Sequence, residues 1–598
     1  MRTSLSTLLG RIKGANPWHL ALGIFLLFLL IVLSVRADDE YRWSDWGFGD
    51  AQTMLSLRQW EEGGWLHNYL LFKPQGYSPV IDLLDEPELR HHAHGTCPGS
   101  SPNVGPRLWY THYPAGYLVP YAVLFRLGLD GMFAARLLSI LFSVAALGIM
   151  YVLFARITNP AISFISVLYY GLSAVFLGYA DSLANQPIDD LLRFGFMLAV
   201  VLSTRAATEQ LRNRWLIAAW IMEFCLSLAS FDSVFFLYTW LIGWDLLEGK
   251  GFRWKRYLLF ACAPVSAHGL QFLQNVWYLG FQDAVLDIKG AFLLKHGSDT
   301  QYNQGQGRLA VITTTLGIIF ENIFNPLWMI FPLLALYALY ARFLRRENTD
   351  FPSLGLLAVL FVSGLAFVLV LPHAARMPYE ARQMMPFSAL LMAAFTWSFF
   401  QVFRKAVHHE EPDGSDAGTA PPVWIAAPYL LFTMVLLLIV WYRFAFMERY
   451  PVYELGPRKE EMQFAQQLRQ LETRYEPIYF DLGGFSIYWD PNYVPGYPQI
   501  LPLTEYYAGS RPILCFREPE KSAEDILAMV RKATAPFSPV VVARDPKDLE
   551  KVLDVLGKAG ALIERPTTFP QSMGRVAMDL TDVIKWRGHE ADQNPGKP

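Results

Sequence analysis

Asp38, Asp39, Glu40, Asp45 and Asp50 crowd into the stretch that follows an uncharged apolar run, Trp18 to Val35. A carboxylate held against a hydroxyl takes its proton as the oxygen forms a new bond. A base positioned in this way contributes about 10²–10⁴-fold to rate. Asp50 stands out by its place, at the start of a partly amphipathic helix read over Asp50–Glu62 and closed by Gly63-Gly64. The same position is where an N-cap belongs, and Asp is a favoured cap. Asp38–Glu40 read equally well as solvated residues at a membrane exit. Residue types alone leave both readings open.

Other polar groups carry other chemistry. His91, His92 and His94, followed by Cys97, resemble a cluster able to hold a divalent metal ion, and read equally as a solvated loop. Asp181, Asn185, Asp189 and Asp190 gather at the head of an apolar segment. Glu223 and His268 fall inside apolar segments, where a charge costs a few kcal/mol, and neither is assigned to chemistry. Cys97 and Cys515 fall in polar segments that the topology puts on one side, where a disulfide could form. No CxxC or zinc-finger spacing is present.

The elements that must position these groups are helices in lipid. Of 598 residues, 53% are hydrophobic and 17% charged, and the mean hydropathy is +0.24. A soluble chain carries about a quarter charged residues. A net charge of −3 gives no footprint for nucleic acid. Trp18–Val35 is about one bilayer long, and no small-residue cleavage site follows it, so it reads as a retained anchor. Further apolar spans are expected near Phe133–Phe154, Pro160–Tyr179, Ile188–Leu202, Trp215–Leu228, Val234–Leu247, Tyr257–Leu279, Pro326–Ala341, Leu354–Leu371, Pro386–Phe403 and Trp424–Trp441. Under this arrangement of about eleven transmembrane helices every strongly basic turn falls on one side, as cytoplasmic loops should: Arg205/Arg212/Arg214, Lys250/Arg253/Lys255/Arg256, Arg342/Arg345/Arg346 and Arg404/Lys405.

That topology leaves three large outside regions. The first, about Arg36–Met132, contains the Asp50 helix and a short apolar stretch, Ala115–Leu129, broken by Pro120 and read as a juxtamembrane surface helix. The second, Gly280–Arg308, is polar and reads as flexible. The third alternates strands (Pro477–Leu482, Ile513–Phe516, Pro539–Ala543) with helices (Ala523–Ala533, Asp545–Ala559), which predicts a soluble α/β domain. The fold class expected is thus a polytopic α-helical membrane protein, residues 1–443, carrying a C-terminal α/β domain, residues 444–598. That domain shows no GxGxxG or Walker pattern.

The run from Gly49-Asp50-Ala-Gln-Thr to Glu62-Gly-Gly-Trp65 resembles the first outside loop of the GT-C superfamily of glycosyltransferases, which includes lipid A aminoarabinose transferases and protein O-mannosyltransferases. Tyr110-Thr-His-Tyr-Pro-Ala-Gly-Tyr is similar to the family's Pro-containing surface helix, and Phe133-Ala-Ala-Arg-Leu-Leu-Ser139 to its Ala-Arg-Leu-x-Ser. The hydropathy layout matches over roughly the first 450 residues. The chain departs from the pattern in having a single Asp50 where many members show Asp-Glu, and His112-Tyr-Pro114 where many show Pro-Pro.

The resemblance implies a polyprenyl-phosphate-linked sugar as donor, an inverting transfer to an acceptor hydroxyl, and Asp50 as base. It implies cations beside the leaving phosphate, for which Arg376, Arg382, Arg136 and Lys295 are the candidates. Each reads otherwise as a snorkelling or headgroup-facing side chain. His112, Tyr113, Asp181, Asp190, His373 and Tyr379 are the substrate-contact candidates. Some members use a divalent ion and others do not. The partners implied are the lipid-linked sugar, the bilayer and an acceptor glycan, lipid or protein. Basic inside loops and the retained anchor fit a bacterial inner membrane with the working face in the periplasm. The competing readings are a secondary transporter, which predicts inverted repeats and midplane charges that the sequence does not show, a polyprenyl-dependent ligase of another fold, and a non-enzymatic assembly or sensor protein.

Overall fold

The computed structural model describes residues 16–38, 47–73, 114–296, 307–324, 351–372, 378–408, 459–482, 502–515, 519–533, 536–561 and 575–581. Gaps between them are shortened by Gly76, Ser78, Thr111, Ala375, Phe485, Thr567 and Thr568. The chain divides into two compact units. One comprises Met1–Asp45, Phe133–Gln271 and Phe292–Pro451, and the other Trp46–Met132, Phe272–Ala291 and Val452–Pro598.

The first unit is helical. Its helices are Pro17–Ala37, Met132–Ile157, Pro160–Gly171, Ala174–Tyr179, Gln186–Thr204, Glu209–Ala229, Ser233–Leu247, most of Trp254–Leu279, Arg308–Phe324, Leu354–Val370 and Met385–His408. Pro17–Ala37 and Met132–Ile157 are long and apolar enough to cross a bilayer. Pro160–Gly171, Ser233–Leu247, Leu354–Val370 and Met385–Ser398 are apolar but shorter. The expected spans Pro326–Ala341 and Trp424–Trp441 lie outside the described residues. On the first helix Phe25, Leu29 and Leu33, four residues apart, face the core, while Leu20, Ile24, Leu27, Ile31 and Val35 are exposed. A helix apolar all round suits lipid as the solvent of its outer face.

The expected single span Pro160–Tyr179 is instead two helices. Ser173 breaks it: its hydroxyl donates to the Tyr170 carbonyl (2.7 Å) and accepts the Phe176 N–H (3.1 Å), so it caps the second helix. Serine competes with the helix for backbone partners in this way. Arg308–Phe324 was not anticipated as a helix; it begins where the second outside region was expected to end.

In the second unit Gly47–Gly63 forms the expected helix, followed by a turn at Gly64 (φ +89°). It is buried on most sides, through Ala51, Met54, Leu55, Leu57 and Trp60 but also Thr53, Ser56 and Gln59. The expected surface helix is a 3₁₀ turn, Gly116–Leu118, leading into Val119–Arg126. Phe281–Lys295, read from sequence as flexible, is a helix. Its buried stripe is Ala284, Asp287 and Gly290, a three-residue spacing that a search for apolar periodicity passes over.

The C-terminal part of this unit holds a five-stranded sheet in the order β2-β1-β3-β5-β4. The strands are β1 (Pro477–Leu482), β2 (Ile513–Cys515), β3 (Ser538–Ala543), β4 (Thr567–Thr568) and β5 (Val576–Asp579). β1 runs parallel to β2 and β3, and β3 runs antiparallel to β5. β3 is buried along its whole length, as a covered central strand should be. The helices Pro519–Lys532 and Pro546–Lys558 supply Ile526, Val530, Val552 and Leu556 to the core under the sheet. Asp545 caps the second of these by accepting the Lys547 N–H at 2.9 Å. The three expected strands and two expected helices are all present, with two added helices among the described residues, Lys459–Arg469 and Pro502–Tyr507.

Candidate active site

Asp50 sits in the first turn of Gly47–Gly63 and is fully buried. Helix N-termini favour a carboxylate there. Thr53 and Tyr117 are close by. Burial holds the Tyr117 phenol well above its usual range, a hydrogen bond with Thr53 draws it down, and the Asp50 charge raises it again. A phenol that stays protonated beside a carboxylate can donate to it.

After Gly64 the chain folds back along the helix. Asn68 donates to the Gln59 carbonyl (2.8 Å), Trp60 Nε1–H to the Leu71 carbonyl (2.9 Å), and the Lys73 N–H to Ser56 Oγ (3.1 Å). This brings Lys73, which is 2% exposed, into the interior of the Asp50 unit. Phe72 and Tyr117 meet with ring centroids 6.0 Å apart. A buried cation in the same unit as Asp50 was missed by the sequence reading. Its signal was available: a Lys-Pro pair a short distance past the Gly63-Gly64 stop.

The first unit contains a separate polar cluster. Asp189 and Asp190 open the helix Gln186–Thr204, and Arg193, one turn on, is completely buried and ion-paired to Asp190. The Tyr170 hydroxyl donates to Asp190 Oδ2 at 2.8 Å, and Arg193 Nη1 donates to Gln383 Oε1 at 2.9 Å. Asp189 accepts the Ser233 hydroxyl (2.8 and 2.7 Å) and Arg382 Nη2–H (3.2 Å). The Gln383 amide donates to Ser233 Oγ at 2.9 Å and ties the ring together.

Gly364 makes this geometry attainable, because a Cβ there would stand 2.9 Å from the Gln383 carbonyl oxygen and 3.0 Å from Met384 Cα. The helix Leu354–Val370 thus lies directly against the turn that carries Arg382 and Gln383. On that turn burial pushes the Glu380 carboxyl well up, the charge of Asp232 adds to it, and Arg382 opposes. Ser143, Tyr170, Phe176, Gln186, Asp190 and Arg382 line a small cleft.

The residues expected to do chemistry therefore fall into distinct settings. Asp190 and Arg382 line one cleft. Asp181 is paired with Arg36 through two hydrogen bonds, one of them 2.8 Å from Nε. Arg136 is buried and donates to the Ala37 carbonyl at 3.3 Å. Lys295 and Tyr379 lie on described helical backbone, with side chains outside the described set. His112, Tyr113, His373, Arg376, His91, His92, His94 and Cys97 lie outside the described residues; Cys515 is seen only as backbone of β2. Among the described residues no three His, Cys, Asp or Glu side chains come together to hold a metal ion.

No protein-family model matches the sequence, and a search of curated proteins finds no match. Among solved structures, ArnT from Cupriavidus metallidurans bound to undecaprenyl phosphate is similar over 94% of this chain and 98% of its own, with 14% identity and a TM-score of 0.56. ArnT is an aminoarabinose transferase of the GT-C superfamily. The chain has the GT-C fold. The same enzyme in the apo state aligns over 94% of this chain and 98% of its own at 13% identity, with a TM-score of 0.48. The archaeal oligosaccharyltransferase AglB from Archaeoglobus fulgidus, in complex with an inhibitory peptide and a dolichol-phosphate, aligns over 87% of this chain and 69% of its own at 13% identity, with a TM-score of 0.41. The fold assignment rests on the first of these. It agrees with the resemblance read from the first outside loop.

Proposed function

We propose that this chain is a membrane glycosyltransferase that moves a sugar from a polyprenyl-phosphate donor to an acceptor hydroxyl, with inversion at the anomeric carbon. The observation that carries the reading is a fully buried carboxylate, Asp50, in the first turn of the outside-loop helix of a GT-C fold. The acceptor oxygen attacks the anomeric carbon while the bond from that carbon to the phosphate oxygen breaks. Asp50 takes the hydroxyl proton, and the lipid phosphate leaves with the bonding pair. Tyr117, kept protonated by burial and hydrogen-bonded with Thr53, stands close enough to feel the Asp50 charge.

Charge that develops on the leaving phosphate is stabilised by fixed cations. Arg382, Arg136, Arg376 and Lys295 remain the candidates, and Lys73 joins them as a buried cation in the Asp50 unit. Asp190 and the Tyr170 hydroxyl, beside Arg382 in the cleft, suit hydrogen bonds to sugar hydroxyls. The setting proposed is a bacterial inner membrane with the site open to the periplasm. The boundary proposed for the membrane part is residue 443, with the α/β domain after it.

The test is to incubate the purified chain in detergent with undecaprenyl-phosphate-linked radiolabelled pentoses and hexoses and membrane-extract acceptors. Release of undecaprenyl phosphate coupled to label transfer from one donor is the expected result. No transfer from any donor, with the protein folded, contradicts the reading.

A further inference from the structure

The short helix Pro502–Tyr507 of the C-terminal region packs against both Gly47–Gly63 and Lys459–Arg469. From it Glu505, 1% exposed, reaches into the interior. One carboxylate oxygen accepts the Ile513 N–H at 2.8 Å, at the start of β2; the other accepts the Gly76 N–H at 3.1 Å, in the first outside loop. The two bonds pin that loop to the edge of the sheet. Gly76 is required for the approach. A Cβ on it would lie 2.3 Å from the Arg511 carbonyl carbon and 2.5 Å from Pro512 N, both backbone atoms that cannot swing aside.

Gly76 follows Lys73 by three residues, and the Lys73 N–H is bonded to Ser56 on the Asp50 helix. Sheet edge, Glu505, loop and Asp50 helix thus form one connected chain of contacts within a single unit. Burial pushes the Glu505 carboxyl up to about 8, opposed by the two backbone N–H bonds.

We propose that Glu505 is a positioning residue. Through Gly76, the C-terminal α/β domain holds the first outside loop, and with it the Asp50 helix, in the geometry that transfer requires. The inference rests on Asp50 being the base. A carboxyl that joins two segments 429 residues apart in sequence fixes the domain to the catalytic loop; packing of the domain's own core does not need that bond.

The test uses the full chain in detergent with two variants that cut the contact from opposite sides, Glu505→Gln and Gly76→Ala. Hydrogen–deuterium exchange of the Gly47–Gly63 amides reads the helix directly, and transfer kinetics with the active undecaprenyl-phosphate donor read its consequence. Both variants are expected to speed exchange at that helix and to lower kcat by about tenfold or more, with KM for the donor changed less than about twofold. Their combined effect should be smaller than the product of the two. Exchange at Gly47–Gly63 and kcat both unchanged, with only β2 and its neighbours loosened, would overturn the proposal and leave the base assignment standing. Transfer that survives Asp50→Asn removes the base reading, and the positioning role with it, even where the latch variants loosen the helix. The two failures therefore carry different signatures.

Discussion

Two groups of buried carboxylates behave oppositely in this molecule. Asp189 and Asp190 are built into a network: Arg193 and Arg382 face them, and Ser233, Tyr170 and Gln383 complete the hydrogen bonds. Asp50 has the neutral hydroxyls of Thr53 and Tyr117 among its neighbours, at a helix end that favours its charge. The carboxylates of that network already accept bonds from Ser233, Tyr170, Arg193 and Arg382, which hold them in place. Asp50 stands instead in the first turn of its own helix, with Tyr117 nearby. Burial alone therefore does not mark a catalytic carboxylate; the setting of the group has to be read with it.

Removing one member of the network should produce the largest effect. Arg193→Met leaves Asp190 buried without its cation, and breaking a buried pair of this kind costs about 3–5 kcal/mol. Thermal unfolding in detergent should show a clearly lowered midpoint. An unchanged midpoint would mean that the network does not hold the helices together, and the contrast with Asp50 would fail. Arg382→Gln should act on transfer first, because Arg382 also lines the cleft. A loss of about 10²-fold in kcat is expected from removing one cation beside the developing charge. Wild-type kinetics in that variant would assign Arg382 to the network alone.

Glu505 adds a dependence on pH to the second unit. Its folded value, about 8, lies above the ordinary 4.5, so the protonated form is the one the fold prefers. The stability it contributes is complete below about pH 4.5 and is lost as the pH rises toward 8. A single group gives a slope of at most about 1.4 kcal/mol per pH unit. Urea unfolding followed in the second unit should show this decline, and Glu505→Gln should flatten it; an identical slope in that variant would assign the effect to other groups. The smallest effect sharpens the comparison most. Asp50→Asn should change the unfolding free energy by about 1 kcal/mol or less, since Asn keeps the side chain's shape and a charge in the first helical turn contributes about 0.3–1 kcal/mol.

Much of the frame was legible from local pattern. The Asp50 helix announced itself through an acidic start and a Gly-Gly stop, and the strands β1, β2 and β3 through short apolar runs between turn residues. What escaped was whatever depends on distant partners. Arg193 stands in an apolar segment where a lone arginine reads as a snorkelling side chain, although carboxylates three and four residues before it were the available clue. Phe281–Lys295 buries an aspartate in its core-facing stripe because Thr111, far back in the chain, donates to Asp287 at 2.6 Å. Glu505 sits in a six-residue helix with no local sign of its partner at Gly76. Periodicity reports which face of an element is apolar and is silent on which polar group waits opposite.

The most direct test of the account is single-turnover transfer by Asp50→Asn, with the radiolabelled undecaprenyl-phosphate donor prebound and folding checked by unfolding midpoint. The account predicts unchanged donor binding and a chemical step slowed by about 10²–10⁴-fold. A chemical step within about threefold of wild type would contradict it, and would leave Asp50 as a structural residue in the first turn of its helix.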